Sequence, residues 1–250
     1  MIHLESNSIF FFDTNFRNCT LIEAGSSIED QIVQKQKFRY YAVKDVALTV
    51  RSLEDDFLNH FYKSVPYEIF IDGKGLLYAS YLLRHKVKEM IGGPGIYFEI
   101  LKRADLKGYK VFFLGSDQKT LEKAIKNVVE RHSNITIAGF HNGYFKKEEE
   151  VSIINQINES NPDIVFLGIS TPKRELFIND NLTLFKPYVC IAIGGVLDNE
   201  AGIRKFAPAI VSNLGLEWLY RALQEPKRLF KRYLYTHSKF IKYLFLEAKK

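Results

Sequence analysis

Four short apolar runs each stop at glycine: FIDG (70–73), VFFLG (111–115), IVFLG (164–168) and VCIAIGG (189–195). These runs constrain the fold more than anything else in the chain. A strand with one wet face alternates apolar and polar residues. A run that is apolar at nearly every position is buried on both faces, as in a parallel sheet covered by helices above and below. Stretches with helical spacing lie between the runs, at residues 52–64, 76–85, 96–106, 119–132, 147–159 and 175–184. In 119–132, for example, Leu121, Ala124, Ile125 and Val128 share one face. Further strands are expected at 39–48, 67–71, 109–114 and 135–139. This alternation predicts an α/β fold, a Rossmann-like, mostly parallel sheet flanked by helices. Residues 1–36 fit the pattern poorly and read as an N-terminal extension or an edge hairpin. Residues 37–207 form the α/β domain, and 208–250 a helical appendage.

That appendage is basic. From Glu217 to Lys250 there are nine Lys or Arg and three Glu, a net of +6 that equals the charge of the whole 250-residue chain. The body is therefore close to neutral. Leu219, Leu223, Leu229, Phe230, Leu234, Ile241 and Phe245 recur at helical spacing through the tail. A basic, aromatic, amphipathic helix has two readings. It packs on its own domain with a solvated charged face, or it docks on an anionic membrane surface. The same apolar face would serve self-association. Nucleic acid is disfavoured as a partner, because the tail matches none of the standard binding signatures.

No apolar run approaches 18 residues, so no membrane span is expected. The first residues lack a basic segment ahead of their apolar patch and do not read as a secretion signal. The two cysteines, Cys19 and Cys190, are not expected to pair, which favours a reducing, cytoplasmic compartment. The six histidines are scattered, so no metal site and no cofactor are expected.

In an open parallel sheet, ligands bind beyond the carboxyl ends of the strands. Four such ends carry glycine with polar residues: Asp72-Gly73-Lys74-Gly75, Gly115-Ser116-Asp117, Gly168-Ile169-Ser170-Thr171-Pro172 and Gly194-Gly195-Val196-Leu197-Asp198. Glycine lets backbone N–H groups approach a phosphate, and a helix N-terminus adds a favourable dipole. The set points to a nucleotide-type ligand, although neither the dinucleotide fingerprint nor the P-loop is present. Asp72 is the strongest catalytic candidate, a carboxylate with open space beside it that could take a proton from an attacking hydroxyl. An Asx-turn or helix-cap role is the alternative. Asp198 carries the same ambiguity. In His141-Asn142-Gly143-Tyr144-Phe145, the Asn-Gly pair reads as a turn, and the aromatic after it serves either a base or the core.

These loops, in this order, resemble the WecG/TagA/CpsF family of bacterial glycosyltransferases. The matching stretches are IDGKG (71–75), KGYKVFFLG (107–115), ITIAGFHNGYF (135–145), NPDIVFLGISTPKRE (161–175), IAIGGVLDNEAGIRKFAP (191–208) and LGLEWLYRALQEPKRLFKRYL (214–234). The resemblance implies an inverting, metal-independent transfer from a UDP-sugar to a polyprenyl-diphosphate-linked saccharide in cell-surface polysaccharide synthesis. It implies a protein peripheral on the inner face of the cytoplasmic membrane. By position, Asp72 looks like the general base. Gly73 lies beside it in the same loop. Gly143 and Tyr144 resemble part of the donor pocket. Gly168, Pro172 and Glu175 resemble the loop beside the sugar diphosphate. Gly195 and Asp198 resemble the double-glycine segment near the nucleoside. Arg221 and Arg228 resemble appendage arginines that pair with diphosphate, and Lys231 and Arg232 lie where a further basic contact is expected.

The chain departs from the family pattern at several of these places. Val43-Lys44-Asp45 stands for Thr-x-Asn, Arg174 for Gln, Gly93-Pro94 for Thr-Asp, and His141-Asn142-Gly143 for His-Asp-Gly. Lys44 and Arg174 are two extra cations, which suggests a uronic-acid substrate. The same departures leave a second reading open, a degenerate relative that binds a nucleotide-sugar or a partner without turnover.

Overall fold

The computed structural model describes residues 7–64 and 67–250, except for the side chains of Ala209, Asn213 and Arg228. It contains eight strands in one sheet: β1 (Ser8–Phe11), β2 (Thr14–Arg17), β3 (Arg39–Lys44), β4 (Tyr67–Ile71), β5 (Lys110–Gly115), β6 (Thr136–His141), β7 (Ile164–Gly168) and β8 (Val189–Ala192). Their order is β1-β2-β4-β3-β8-β7-β5-β6, with β1 and β2 an antiparallel hairpin and every other pairing parallel. The last strand in the chain thus lies in the middle of the sheet. The apolar runs end up where their composition requires, with Phe112, Phe113, Val165, Phe166, Cys190 and Ile191 all buried.

Helices cover both faces. On one side are α1 (Leu21–Val33), α5 (Gly93–Lys107), α6 (Gln118–Arg131) and α9 (Val196–Glu200), packed through Ile28, Ile100, Leu121 and Leu197. On the other are α2 (Val46–Glu54), α3 (Asp56–Lys63), α4 (Lys74–Leu82), α7 (Glu150–Ser160) and α8 (Lys173–Asn181), packed through Val50, Phe61, Leu76, Ile154 and Phe177.

Several boundaries differ from the expectations. The helix expected at 52–64 is two helices. Asp45 caps α2 by accepting from Leu48 N (2.7 Å), and Asp55 caps α3 by accepting from Leu58 N (3.0 Å). The strand expected over 39–48 therefore stops at Lys44. Residues 1–36 were expected to fit the pattern poorly, yet within them α1 is a well-capped helix. Thr20 and Glu23 form a reciprocal capping box at its start.

Beyond β8 come α10 (Ala209–Asn213), α11 (Glu217–Gln224) and α12 (Pro226–Glu247). Pro226 sits at the first position of α12, where its missing N–H costs nothing. Ala222, Leu229 and Tyr233 form a small core between α11 and α12. The second half of α12 lies along α2 and the β1–β2 hairpin. Phe240 packs on Phe12 with ring centroids 5.2 Å apart, and Phe12 N–H donates to Glu247 Oε1 (3.0 Å). Glu54 receives Tyr235, Tyr243 and Lys239 at 2.9, 3.2 and 3.0 Å. Residues 235–250 are thus packed into the body, where they cover Phe12. Another face of α12 stays open. Phe230, Leu234, Ile241 and Phe245 are exposed in one stripe beside a row of Lys227, Lys231, Lys242 and Lys249.

Candidate active site

The parallel strands deliver their carboxyl ends to one edge of the sheet, and most of the sequence-derived candidates meet there. Asp72 follows the last residue of β4. Its backbone N–H donates to Lys44 O (3.0 Å), carrying the β3–β4 ladder one residue further. Its carboxylate lies against the start of α5: a Cβ on Gly92 would come within 3.0 Å of Asp72 Oδ1, and Gly93 N–H bonds to the carboxylate. Burial raises the Asp72 pKa to about 7, with Asp45 and Glu217 adding to the rise. Arg221 and the Gly93 N–H pull the other way. A carboxyl that titrates near neutrality is matched to proton transfer at physiological pH.

At the end of β8, the chain turns through Gly194 and Gly195. A side chain on Gly195 would find Arg204 Nη1 at 2.9 Å, Arg221 Nη2 at 3.7 Å and Asp198 Oδ2 at 3.8 Å. Two guanidinium groups and a carboxylate thus gather over the backbone of Gly195. Asp198 accepts from Ser116 Oγ (3.1 Å) and pairs with Arg204 Nη2 (2.8 Å). Arg204 also reaches Glu225 through Nε (2.8 Å), at the junction of α11 and α12. The guanidinium of Arg204 thus joins the β8 loop to the appendage.

The far side of the edge is built from β5, β6 and β7. Gly115 stands so close to β7 that a Cβ would lie 2.6 Å from the Gly168 backbone. Ser116 O accepts from Gly143 N–H (2.7 Å), and Asn142 Oδ1 accepts from Tyr144 N–H (3.0 Å). Lys173, just after Pro172, donates to Gly143 O (2.9 Å) and Phe145 O (2.6 Å) and lies 3.7 Å over the Phe145 ring. It therefore ties the 142–145 turn to the loop that follows β7. Tyr144 projects from this turn at 80% exposure, while Phe145 is core. Gly73 has open space where a side chain would stand.

Other candidates lie elsewhere. Glu175 is fully buried in the layer formed by α3 and α8. Its Oε1 accepts from Tyr62 Oη (2.5 Å), Thr171 Oγ1 (3.1 Å) and Arg174 Nε (3.0 Å). Arg174 holds the Glu175 carboxyl below the usual carboxylate range, against the opposing effect of burial. Lys44 is buried in the same layer, donating to Thr14 Oγ1 (2.6 Å) with its ammonium 4.9 Å over the Tyr62 ring. Burial lowers its pKa to about 7. The uronic-acid idea needed both cations free to meet a substrate. Arg174 instead has a protein carboxylate, and Lys44 points into the core of the layer opposite α5. Lys231 and Arg232 are exposed on α12, Arg232 over the Tyr233 ring at 5.1 Å. Arg228 belongs to α12, and its side chain lies outside the described residues.

Sequence reasoning passed over Arg204, Lys173, Ser116 and Asp45. Arg204 and Lys173 lie inside the motif stretches already quoted, but a lone cation in a loop carries no partner with it. Among the described residues, no cluster of three or more His, Cys, Asp or Glu could hold a metal ion.

The carboxyl edge of this doubly wound sheet thus carries a carboxylate with a pKa near 7 and, over Gly195, the guanidinium groups of Arg204 and Arg221. The chain belongs to the WecG/TagA/CpsF family of glycosyl transferases, whose sequence profile matches residues 9–250. A relative from Staphylococcus aureus (strain MW2), named N-acetylglucosaminyldiphosphoundecaprenol N-acetyl-β-D-mannosaminyltransferase, is 36% identical over 161 residues, 64% of this chain and 63% of the relative. A protein of the same name from Bacillus spizizenii (strain ATCC 23059 / NRRL B-14472 / W23) is 34% identical over 160 residues, 64% of this chain and 62% of that relative. The match thus spans somewhat less than two thirds of either relative.

Proposed function

We propose that this protein transfers a sugar from a UDP-sugar to a polyprenyl-diphosphate-linked saccharide, with inversion and without a metal ion. The carrying observation is that Asp72, with a pKa near 7, and the guanidinium of Arg221 stand at one sheet edge. Asp72 takes the proton of the acceptor hydroxyl as its oxygen attacks the anomeric carbon. The bond from that carbon to the donor phosphate breaks, and the nucleoside diphosphate leaves with the electron pair. Arg221 stabilises the departing charge through bidentate contacts, with Arg228 of the same appendage as a further cation. Gly143, Tyr144, Gly168 and Asp198 line the donor side. The relatives' names favour an N-acetylhexosamine as the transferred sugar.

The open stripe of α12 supports peripheral attachment to the inner face of a bacterial membrane, where such an acceptor resides. Phe230, Leu234, Ile241 and Phe245 would enter the lipid while the lysine row meets anionic headgroups. Among the described residues, no helix is long and apolar enough to cross a membrane. Phe230→Asp with Leu234→Asp is expected to abolish sedimentation with phosphatidylglycerol vesicles without lowering Tm. The same stripe would support self-association of the free protein, which sedimentation velocity without lipid measures.

The deciding experiment is turnover of a UDP-N-acetylhexosamine panel on a short-chain polyprenyl-diphosphate acceptor, with and without EDTA, by wild type and Asp72→Asn. The variant should lose about 10²–10⁴ in kcat, the usual contribution of a general base. Near-normal turnover by Asp72→Asn would refute the assignment. Donor binding by wild type with no turnover on any acceptor would establish the binding-only reading instead.

A further inference from the structure

Asp45 and Asp72 belong to two adjacent parallel strands in register. Lys44 of β3 pairs with Ile71 of β4, so the next residues along the ladder are Asp45 and Asp72. The hydrogen bond from Asp72 N–H to Lys44 O keeps that register one step beyond the strand ends. The two residues therefore leave neighbouring strands at the same level, at the mouth of the site, and the charge of Asp45 acts on Asp72. Asp45 cannot swing away freely, because it is fixed as the cap of α2 through Leu48 N–H (2.7 Å).

We propose that Asp45 is a positioning residue for the general base: its fixed negative charge sets the pH at which Asp72 gives up its proton. This rests on the reading of Asp72 as the base. Two neighbouring carboxylates do not ionise independently, since the first charge disfavours the second. Asp45 sits at the N-terminus of α2 and accepts from a backbone N–H, a setting that favours an anion. Asp72 is the member that takes up the proton, because burial works against its anion.

The other charged groups around the pair have been placed. From α11, Glu217 adds negative charge and Arg221 positive charge beside Asp72. From α5, Gly93 N–H bonds to Asp72. From α12, His237 faces Asp45, and burial holds its pKa below the usual imidazole value, so it is neutral at pH 7 and does not cancel the Asp45 charge. Lys74, two residues after Asp72, packs its stem against Gly215.

Asparagine and serine cap helices about as well as aspartate. Asp45→Asn and Asp45→Ser therefore remove the charge and keep the cap. Asp55→Asn, at the cap of α3, is the control for losing a capping charge elsewhere. The measurement is a carboxyl ¹³C NMR titration of the full chain labelled at aspartate, with Asp72 assigned by its loss in Asp72→Asn. The Asp72 midpoint should fall by about one pH unit in both Asp45 variants, the scale of a neighbouring like charge, and stay in place in Asp55→Asn. The acid limb of kcat/KM should move with it. An unmoved Asp72 midpoint in both Asp45 variants overturns the proposal whatever the activity does. A midpoint that moves while the acid limb does not supports the carboxylate coupling and overturns Asp72 as the base.

Discussion

Replacing Arg174 by glutamine removes the cation that, among the described residues, is bonded to the fully buried Glu175 carboxylate. The shorter amide cannot reproduce the two guanidinium contacts to Glu175 Oε1, and Glu175 Oε2 already has no partner. Stripping one partner from a buried ion pair costs about 3–5 kcal/mol. The carboxyl can escape by taking a proton. Neutralising a group of unfolded pKa about 4.3 costs about 1.4 kcal/mol per pH unit, or about 4 kcal/mol at pH 7. The two routes agree. In a chain of this size, 1 kcal/mol moves Tm by roughly 2–4 °C, so Arg174→Gln should lower Tm by about 10 °C at pH 7. The pH dependence carries a definite sign. In wild type, the folded pKa of Glu175 is depressed, so its contribution is present above the unfolded pKa and lost as pH falls through the folded value. In the variant, the folded pKa is raised, and the penalty grows as pH rises above about 4.3. The gap between the two proteins should therefore be small near pH 4 and largest at neutrality. Adding Glu175→Gln to Arg174→Gln should recover most of the loss. Scanning calorimetry from pH 4 to 8 on all three proteins tests this. A drop below about 3 °C at pH 7, or one that does not change with pH, would refute the reasoning.

Asp72→Asn should be more stable than wild type at pH 8, by at least the roughly 2–4 °C that about 1 kcal/mol is worth. The gain should shrink toward pH 5, because the penalty of a carboxyl with a raised folded pKa begins above its unfolded pKa and grows until the pH passes the folded value, and thermal melts at both values check this. Lys173→Met releases the carbonyls of Gly143 and Phe145, and UDP affinity by calorimetry should weaken about tenfold, the scale of a charge-assisted hydrogen bond. Deleting residues 235–250 uncovers Phe12 and strips Glu54 of three partners. Proteolysis of the shortened protein should cut first in the β1–β2 hairpin, and an unchanged digestion pattern would show the seat of α12 to be dispensable.

The parallel core was legible because full burial leaves a signature in composition. VFFLG and IVFLG contain nothing but apolar residues and glycine, and both are central strands. The strand-end loops were legible for the same reason, since the glycines that end the runs mark the carboxyl ends of the strands. What stayed hidden were relations between distant residues. The capping aspartates Asp45 and Asp55 divide a stretch whose spacing alone reads as helix and strand run together. Lys44 and Arg174 read as surplus cations, and only the approach of α3 to α8 gives them Thr14, Tyr62 and Glu175 for company. The tail showed its amphipathic period plainly. Its division of labour, one face against Phe12 and α2 and another left open, depends on a hairpin more than 200 residues away.

The central position of β8 bears on how this chain is made. A ribosome delivers β3 and β7 before Val189–Ala192, and each of those strands presents an open edge on the side that β8 will fill. Until that last segment emerges, a nascent chain exposes two hydrogen-bonding templates flanked by its most apolar sequence, the arrangement that invites intermolecular pairing. Insertion of four residues then closes both edges at once and brings Gly194 and Gly195 to the site. Nascent chains stalled before residue 189 should accordingly depend on chaperones, and those stalled after the release of β8 should not. The strand that completes the sheet is thus also the one that removes its two internal open edges.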